Sequence, residues 1–563
     1  MRDESVVLEQ LFVDTFTQSG DVTRNLGTFD GKHGYFDFDD DTLHGRKQNH
    51  LLGPTSSFPH FLLVIIKVYL RSISFEMNFL PILLLLLFST STAYKILVFS
   101  PATSHSHMIS NGRIADELAA AGHEVIILEP DFLGIVEGSK TVKRARRWPV
   151  HGLDTAAFIE VHQAHSPSLF NENYWWDGLF NSDDYQDAYT ALCEEMILRT
   201  DLMKALQAEN FDAYFGEQIN LCGMGLSEIL GIRQRFWVAS CTMGVGVRYV
   251  MGLPTPMSHL PLLSELDEPA SFSQRARALL LQLVEMYATR RDINILTQMF
   301  RKHYGPSFPD VAKIARDSDF VFVASEELLD FPAPTMPNIV HIGGLGMDDR
   351  QSSLDSTTAG ELEKGSKGVI FFSMGTIANT TILPKGIMSN FLKITSNFPD
   401  YHFLVRIDKY DQATKKEAEK FPNVYVSDWF PQIAVLSHQR LRAFITHAGY
   451  NGIMEAARAG VPLITVPFMF DQPRNGRAVQ RAGWGVLRNK RQFVHDPEAI
   501  ESAIREILTD TRYTEKARRL QKLIRSKPTT PSQRLIQTTE WVLKNGGVKE
   551  LLSDGQIRKS VND

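Results

Sequence analysis

The sequence predicts an α/β protein made of two Rossmann-like domains. Two observations carry that expectation. Short apolar runs alternate with helical patterns in both halves of the chain, which is how parallel sheets with crossover helices read. Between residues 429 and 472, polar and aromatic residues stand just past the ends of such runs, where open parallel sheets bind their ligands. A length of 563 residues, 43% of them hydrophobic, is ample for two large cores. The formal net charge of -6 gives no footprint for nucleic acid, and no such partner is expected. Three cysteines, Cys193, Cys222 and Cys241, are too sparse and odd in number for a disulfide framework. Buried thiols are expected, with stability coming from packing.

Residues 1–76 do not read as a domain. They are polar, carry the acidic cluster FDFDDD (36–41) and end in an apolar piece interrupted by Lys67, so an extension outside the folded protein is expected. Asp37 and Asp39 make a D-x-D pattern of the kind that can hold a divalent metal with a nucleotide diphosphate. No strand–helix unit follows them, and a solvated acidic run is the better reading. From Met77 a core of about ten apolar residues is followed by small residues including Ser91 and Ala93; over 77–93 this reads as a secretory signal, too short to span a bilayer. Its distance from Met1 fits either a working start at Met77 or a disrupted signal.

An N-terminal domain is expected over 94–347. KILVFSP (95–101) reads as a buried strand, ISNGRIADELAAAG (109–122) as a helix ended by Gly122, and HEVIILEP (123–130) as the next strand. The intervening ATSHSH lacks G-x-G-x-x-G, so dinucleotide binding is not supported, yet it sets His107 at a helix start above a strand end. FDAYFGEQ (211–218) is a strand ending in Glu217, whereas Glu228 on the following helix reads as a solvated charge. A histidine base requires a carboxylate or carbonyl to fix its tautomer and steady the imidazolium it becomes. The aromatic run FNENYWWDGLF (170–180), with Tyr174, Trp175 and Trp176, reads equally as pocket wall or ordinary packing. After the strand FVFVAS (320–325), the Pro- and Gly-rich 331–347 is expected to be a linker with a strand in it.

A C-terminal domain is expected over 348–530. GVIFFS (368–373) leads into a loop of Ser373, Gly375 and Thr376 that can contact phosphates, and HFLVRID (402–408) puts Arg406 at another strand end. FPNVYVS (421–427) ends near Trp429, whose indole face offers a base a stacking platform, and Gln432 presents an amide that matches an imide edge. LRAFIT (441–446), HAGYN, GIMEAARA (452–459) and VPLITVP (461–467) form one strand–turn–helix–strand unit. Its turn, containing Gly449, leaves free N–H groups at a helix N-terminus beside His447 and Asn451, a binding place for phosphate. Glu455 lies one helical turn beyond Asn451 and suits a ribose diol; Asp471 and Gln472 follow the next strand. Base, ribose, phosphate and sugar each find a partner in order. A helix over 531–544 is expected to cross back to the first domain, and the chain then runs out in polar residues.

The run from Trp429 to Gln472 resembles the signature of the UDP-glycosyltransferases, the family that includes the UDP-glucuronosyltransferases, with a pattern nearest to invertebrate, nematode-like members. The resemblance implies the GT-B arrangement, with the donor in the C-terminal half and the acceptor in the N-terminal half. It assigns uracil to Trp429 and Gln432, diphosphate to His447, Gly449 and Asn451, ribose to Glu455, and donor sugar to Asp471 and Gln472, with Ser373, Gly375, Thr376 and Arg406 lining the nucleotide. It makes His107 the catalytic base, chosen over His105 by its spacing to DEL (116–118) and to Gly122 and His123. Glu217 then stands where many members carry Asp, and Ala448 where Gly is usual. The implied reaction is inverting transfer of glucuronate or glucose from a UDP-sugar to a hydroxyl of a small lipophilic acceptor, as in xenobiotic metabolism, with no cofactor and no metal. A nucleotide-sugar epimerase on this fold and a non-catalytic binder of UDP-sugar or lipophile are the rival readings. The implied location is the endoplasmic reticulum lumen, where the Asn379 sequon would matter. Animal members usually continue into a transmembrane helix; this chain ends in polar residues, so membrane association is expected only through the N-terminal hydrophobic segment. A homo-oligomer is compatible with the resemblance.

Overall fold

Strands form where apolar residues are buried on both faces. In Lys95–Phe99 (β1), Leu97 and Phe99 join one core cluster while Ile96 and Val98 join the cluster on the opposite face. In Gly368–Ser373 (here β8, the first strand of the second sheet), Val369 and Phe371 separate in the same way from Ile370 and Phe372. Such continuous apolar strands belong to parallel sheets covered by helices on both sides, and that is what the computed structural model contains.

The structure describes residues 93–165, 183–255, 271–347, 353–375, 386–468 and 471–552, with residues 380, 381, 383 and 384 and two short strands near the N-terminus. The D-x-D run, the signal-like segment up to residue 92, the aromatic run 170–180, residues 256–263, Thr376 and Asn379 lie outside the described residues. The chain divides into two units, Met1–Thr90 and Ser91–Asp563. Within the former, Phe29–Asp30 pairs antiparallel with Tyr35–Phe36.

The first sheet of the larger unit continues from β1 with Glu124–Pro130 (β2), Arg146–Val150 (β3), Ala213–Glu217 (β4), Gln234–Ala239 (β5), Phe320–Val323 (β6) and Ile339–His341 (β7). Their order is β3-β2-β1-β4-β5-β6-β7, all parallel. The second sheet contains β8, Tyr401–Arg406 (β9), Val424–Ser427 (β10), Leu441–Thr446 (β11), Leu463–Thr465 (β12) and Gly485–Leu487 (β13), in the order β10-β9-β8-β11-β12-β13, again all parallel. Each sheet therefore reverses its winding at one place, between β1 and β4 in the first and between β8 and β11 in the second. Ligands of doubly wound sheets bind at that place, outside the carboxyl ends of the strands.

Helix α1 (His105–Ala120) begins earlier than the apolar period alone suggests. The Ser104 hydroxyl accepts from the His107 N–H at 3.3 Å and caps the first turn, so His107 sits inside the helix rather than ahead of it. Met108, Ile114, Ala115 and Leu118 form its buried face. The remaining helices that bear on the site are α2 (Asp183–Leu198), α3 (Cys222–Ile229), α4 (Phe272–Tyr304), α5 (Tyr450–Ala459), α6 (Gln472–Ala482) and α7 (Pro531–Asn545). Helix α7 packs Leu535 and Val542 into the cluster of Ile114, Leu118 and Phe320, and Ser532 donates to Glu117 at 2.5 Å, so the C-terminal helix lies on the first sheet's layer. Among the described residues no helix is long and apolar enough to cross a membrane.

The cysteines depart from expectation. Cys193 of α2 and Cys222 of α3 form a disulfide, and only Cys241 is free. The two are 29 residues apart, and nothing local signals that their helices pack together. Closing a loop of that length stabilises the fold by about 3–4 kcal/mol on the chain-entropy argument. Cys193→Ser, or reductant added to the unchanged chain, is therefore expected to lower the denaturant midpoint, while Cys241→Ser under non-reducing conditions leaves it nearly unchanged; equal midpoints with and without reductant would contradict the bond.

Candidate active site

At the switch point of the first sheet stand His107, in the first turn of α1, and Glu217, the last residue of β4. His107 Nδ1 lies 2.9 Å from Glu217 Oε2. Glu217 is 3% exposed and is held by further donors: the Gln218 N–H at 2.7 Å, Asn111 Nδ2 at 3.4 Å and the Ser240 hydroxyl. Burial works to raise the Glu217 carboxyl, but the attraction of His107 and the bonds from His107, Ser240 and Gln218 outweigh it and hold the group below its usual range. An ionised Glu217 can only accept, so Nδ1 carries the hydrogen and the Nε2 lone pair is the one left for a substrate proton. Burial works to lower the His107 pKa, and the carboxylates of Glu217 and Asp471 raise it above its ordinary value. The glutamate's extra methylene, the departure noted in the sequence, leaves the contact at ordinary hydrogen-bond length.

Asp471 belongs to the other half, immediately before α6. Its carboxyl is pushed up by burial, against the Asn475 bond at 2.7 Å and the nearby His107. The charges of His107 and Asp471 act on each other across the two halves. Asn475 also donates to the Ala448 carbonyl at 3.1 Å, tying Asp471 to the turn before α5. Gln472 is buried and accepts from the Phe468 N–H at 2.9 Å, which fixes the bend after β12.

At the second switch point Ser373 ends β8, Gly375 follows it and His447 follows β11. Gly375 adopts φ +75°, and a Cβ there would come within 2.4 Å of the His447 ring, so glycine is required for the loop to pass over the imidazole. Arg406, at the end of β9, donates to the Gly375 carbonyl and, at 3.2 Å, to that of Asp428, bracing this loop against the end of β10. Burial, then repulsion from Arg406, lowers His447 to about 4, so at neutral pH it is an uncharged donor or acceptor and not a cation. Ala448 is buried at φ +66°, the left-handed conformation that explains why glycine is usual there; an L-residue in it costs about 1–2 kcal/mol. Gly449 caps α5, whose first turn holds Asn451 with its backbone N–H groups directed at the same space. The Tyr450 hydroxyl accepts from the Glu326 N–H at 2.8 Å and anchors this helix start to the first half.

Trp429 is 71% exposed beyond β10, an open indole face. Gln432 Nε2 donates to Glu455 Oε2 at 2.7 Å, so the amide expected to read a base and the carboxylate expected to hold a ribose are adjacent and bonded to each other. Burial pushes the Glu455 carboxyl up, opposed by the Gln432 bond and by the charge of Arg113 of α1.

The structure thus gathers His107, Glu217, Ser373, Gly375, Arg406, Trp429, Gln432, His447, Gly449, Asn451, Glu455, Asp471 and Gln472 along the carboxyl ends of the two sheets. Sequence reading missed Asn111, Ser240, Asn475 and Arg113. Ser240 had a usable signal, since it follows β5 as Glu217 ends β4; Asn475 lies one helical turn after Asp471. Arg113 had none, because its charge acts on Glu455 from the other half of the chain. Glu228, expected to be solvated, is paired with Arg235 at 2.5 Å.

Comparison with known proteins agrees with this architecture. Residues 94–556 match the family described as UDP-glucoronosyl and UDP-glucosyl transferase. The chain is 53% identical over 469 residues to the Caenorhabditis elegans protein named "Putative UDP-glucuronosyltransferase ugt-48", spanning 83% of this chain and 89% of that one. It is 27% identical to the Oryctolagus cuniculus UDP-glucuronosyltransferase 2B14, over 84% of this chain and 89% of the rabbit protein. Among solved structures it is similar to Os79 from O. sativa in complex with UDP, with a TM-score of 0.53 and 16% identity over 79% of this chain and 99% of that one. The glycotransferase of kitacinnamycin gives 0.55 and 16% over 82% and 100%. These likenesses identify the fold as GT-B. With the family match running through both sheets and a relative sharing half its residues, the chain belongs to the UDP-glycosyltransferase family and is a UDP-sugar-dependent glycosyltransferase.

Proposed function

We propose that the enzyme transfers glucuronate or glucose, with inversion, from the UDP-sugar to a hydroxyl of a small lipophilic acceptor. The observation that carries this is the 2.9 Å contact between His107 Nδ1 and the buried Glu217 carboxylate at the switch point of the first sheet. His107 Nε2 takes the acceptor's proton as the acceptor oxygen bonds to the anomeric carbon, and the bond from that carbon to the phosphate oxygen breaks on the opposite face, releasing UDP. Glu217 stabilises the imidazolium that forms. Trp429 stacks on the uracil, Gln432 reads its edge, Glu455 takes the ribose, and Asp471 and Gln472 take the sugar hydroxyls. Charge developing on the diphosphate is met by the N–H groups of the α5 start and by neutral His447 as a donor, with Ser373 and Gly375 lining the phosphates. We propose that these groups suffice without a divalent metal. The names of the nematode and rabbit relatives favour glucuronate, while the family description embraces both sugars. A pairing of Cys193 with Cys222 suits an oxidising compartment, and together with the signal-like 77–93 it supports the lumen of the secretory pathway, most simply the endoplasmic reticulum. A binding protein would have no use for a histidine base steadied by a buried carboxylate.

The test is release of UDP from UDP-glucuronate and from UDP-glucose over phenolic and steroid acceptors, with and without chelator. Acceptor-dependent release that survives chelation is expected. Release independent of acceptor would favour donor hydrolysis or epimerisation, and loss in chelator would remove the metal-free reading.

A further inference from the structure

Two buried arginines lie near the start of α6 with one paired carboxylate between them. Arg474, in the first turn of α6, is 9% exposed; its Nη2 lies 2.5 Å from Asp330 Oδ1 and its guanidinium stands over the Phe331 ring at 5.5 Å. Its Nη1 is buried and has no partner. Arg248, in the helix Val245–Met251 that follows β5, is 4% exposed. Its Nη2 donates to the carbonyl of Pro254 and, at 3.1 Å, to that of Pro334, while its buried Nε has no partner. Burial, then repulsion from Arg474, lowers the Arg248 pKa from its ordinary value, with Asp330 opposing. A guanidinium nonetheless stays charged inside a protein. Two such charges against one carboxylate leave buried positive charge uncompensated, a costly arrangement that an anionic ligand relieves. Asp471, one helical turn before Arg474, does not supply the missing charge: burial pushes its carboxyl up, and it accepts from Asn475.

The position of the pair says which anion it takes. The groups given to the diphosphate follow β8 and β11, and among the described residues neither arginine bonds to them. Arg474 instead shares the first turn of α6 with Asp471, and residues three apart on a helix are about 5–6 Å apart at Cβ, a spacing that one sugar ring can bridge. Its charge also acts on Asp471 and on Cys241, the residue after the Ser240 that bonds to Glu217. A pyranose whose hydroxyls bond to Asp471 can carry a C6 carboxylate, the planar anion that a guanidinium fork matches. A C6 hydroxyl would leave the buried charge as it is. We propose that Arg474 and Arg248 form a carboxylate subsite that holds the C6 carboxylate of a uronate donor, so that the enzyme selects UDP-glucuronate over UDP-glucose. This rests on the reading that Asp471 takes the donor sugar and deepens it by naming the side chains that choose between the two sugars.

The unchanged full chain is tested first, without turnover: at equal concentration UDP-glucuronate is expected to raise the melting temperature more than UDP-glucose or UDP does. The ratio of kcat/KM for UDP-glucuronate to that for UDP-glucose is then measured with a neutral phenolic acceptor. Arg474→Gln and Arg248→Gln are each expected to lower this ratio by about 10²-fold or more, chiefly through the KM of UDP-glucuronate. Arg248→Lys, which keeps the charge but not the fork, should lower it by about tenfold. Damage to the fold would depress both donors together, so a ratio that none of the three substitutions changes overturns the proposal. Stabilisation by UDP-glucose equal to or above that by UDP-glucuronate overturns it too. So does a loss confined to carboxylic acid acceptors compared with their amides at an unchanged donor ratio, which would make the carboxylate the acceptor's. Stabilisation by UDP-glucuronate that the glutamine variants abolish, without UDP release to any acceptor, would uphold the subsite while the transfer reading failed.

Discussion

His107→Ala is expected to lower kcat/KM by about 10³-fold or more with every acceptor hydroxyl, near the upper part of the range for loss of a general base. The protein should nonetheless fold. His107 is partly exposed, and the buried Glu217 it leaves behind retains the Gln218 N–H, Asn111 and Ser240 as donors, so no orphaned charge is created. UDP affinity should stay within about twofold, because the groups proposed to hold the nucleotide, Trp429, Gln432, His447 and Glu455, belong to the other half and do not bond to His107. Steady-state kinetics with UDP binding measured separately distinguish these effects. His105, exposed on the same turn and without the Glu217 contact, supplies the control, and His105→Ala should fall by less than about threefold. Equal losses for the two substitutions would mean that the turn, and not one imidazole, is what the reaction uses.

How much of this was legible in the sequence depends on whether the determinant is local. The strand ends bearing Ser373, Arg406, Trp429 and His447 follow from apolar runs and what comes just after them, and β8 and β11 fall where the pattern puts them. The Gln432–Glu455 bond joins two groups each given a ligand role by sequence, but their contact depends on how the helix beginning at Gln432 packs on α5. The start of α1 was misplaced because the Ser104 cap is a side-chain event that the hydrophobic period cannot register. The strand expected within the linker 331–347 is β7, Ile339–His341, but that it pairs with β6 as the seventh strand of the first sheet is a long-range contact that a three-residue run among prolines does not announce. The Cys193–Cys222 bond joins two different helices, the Ser532–Glu117 bond joins elements far apart in sequence, and residue counting cannot pair them.

Glu217→Gln is expected to act on rate and on pH dependence together, and the direction of each follows from charge. In the unchanged enzyme His107 must be neutral to accept a proton. Its pKa is raised above 6.5 because two carboxylates outweigh its burial, so kcat/KM falls as pH drops through that raised value. Glutamine removes the nearer carboxylate. Burial then acts on His107 against Asp471 alone, its pKa falls, and the acid limb of the profile moves to lower pH. At the alkaline plateau the imidazolium formed in the transition state has lost its counter-charge, and the amide no longer enforces the Nδ1–H tautomer, so kcat should drop by about 10²–10⁴-fold, the range seen when a histidine base loses its carboxylate. Glu217→Asp keeps the charge but withdraws it by one methylene; its limb should stay near that of the unchanged enzyme while kcat falls by about tenfold. This split separates orientation from electrostatics. A plateau loss in Glu217→Gln without a shift of the limb would mean that Glu217 shapes the turn but does not charge-couple to His107. A shift without a plateau loss would mean that His107 titrates beside the reaction without carrying its proton.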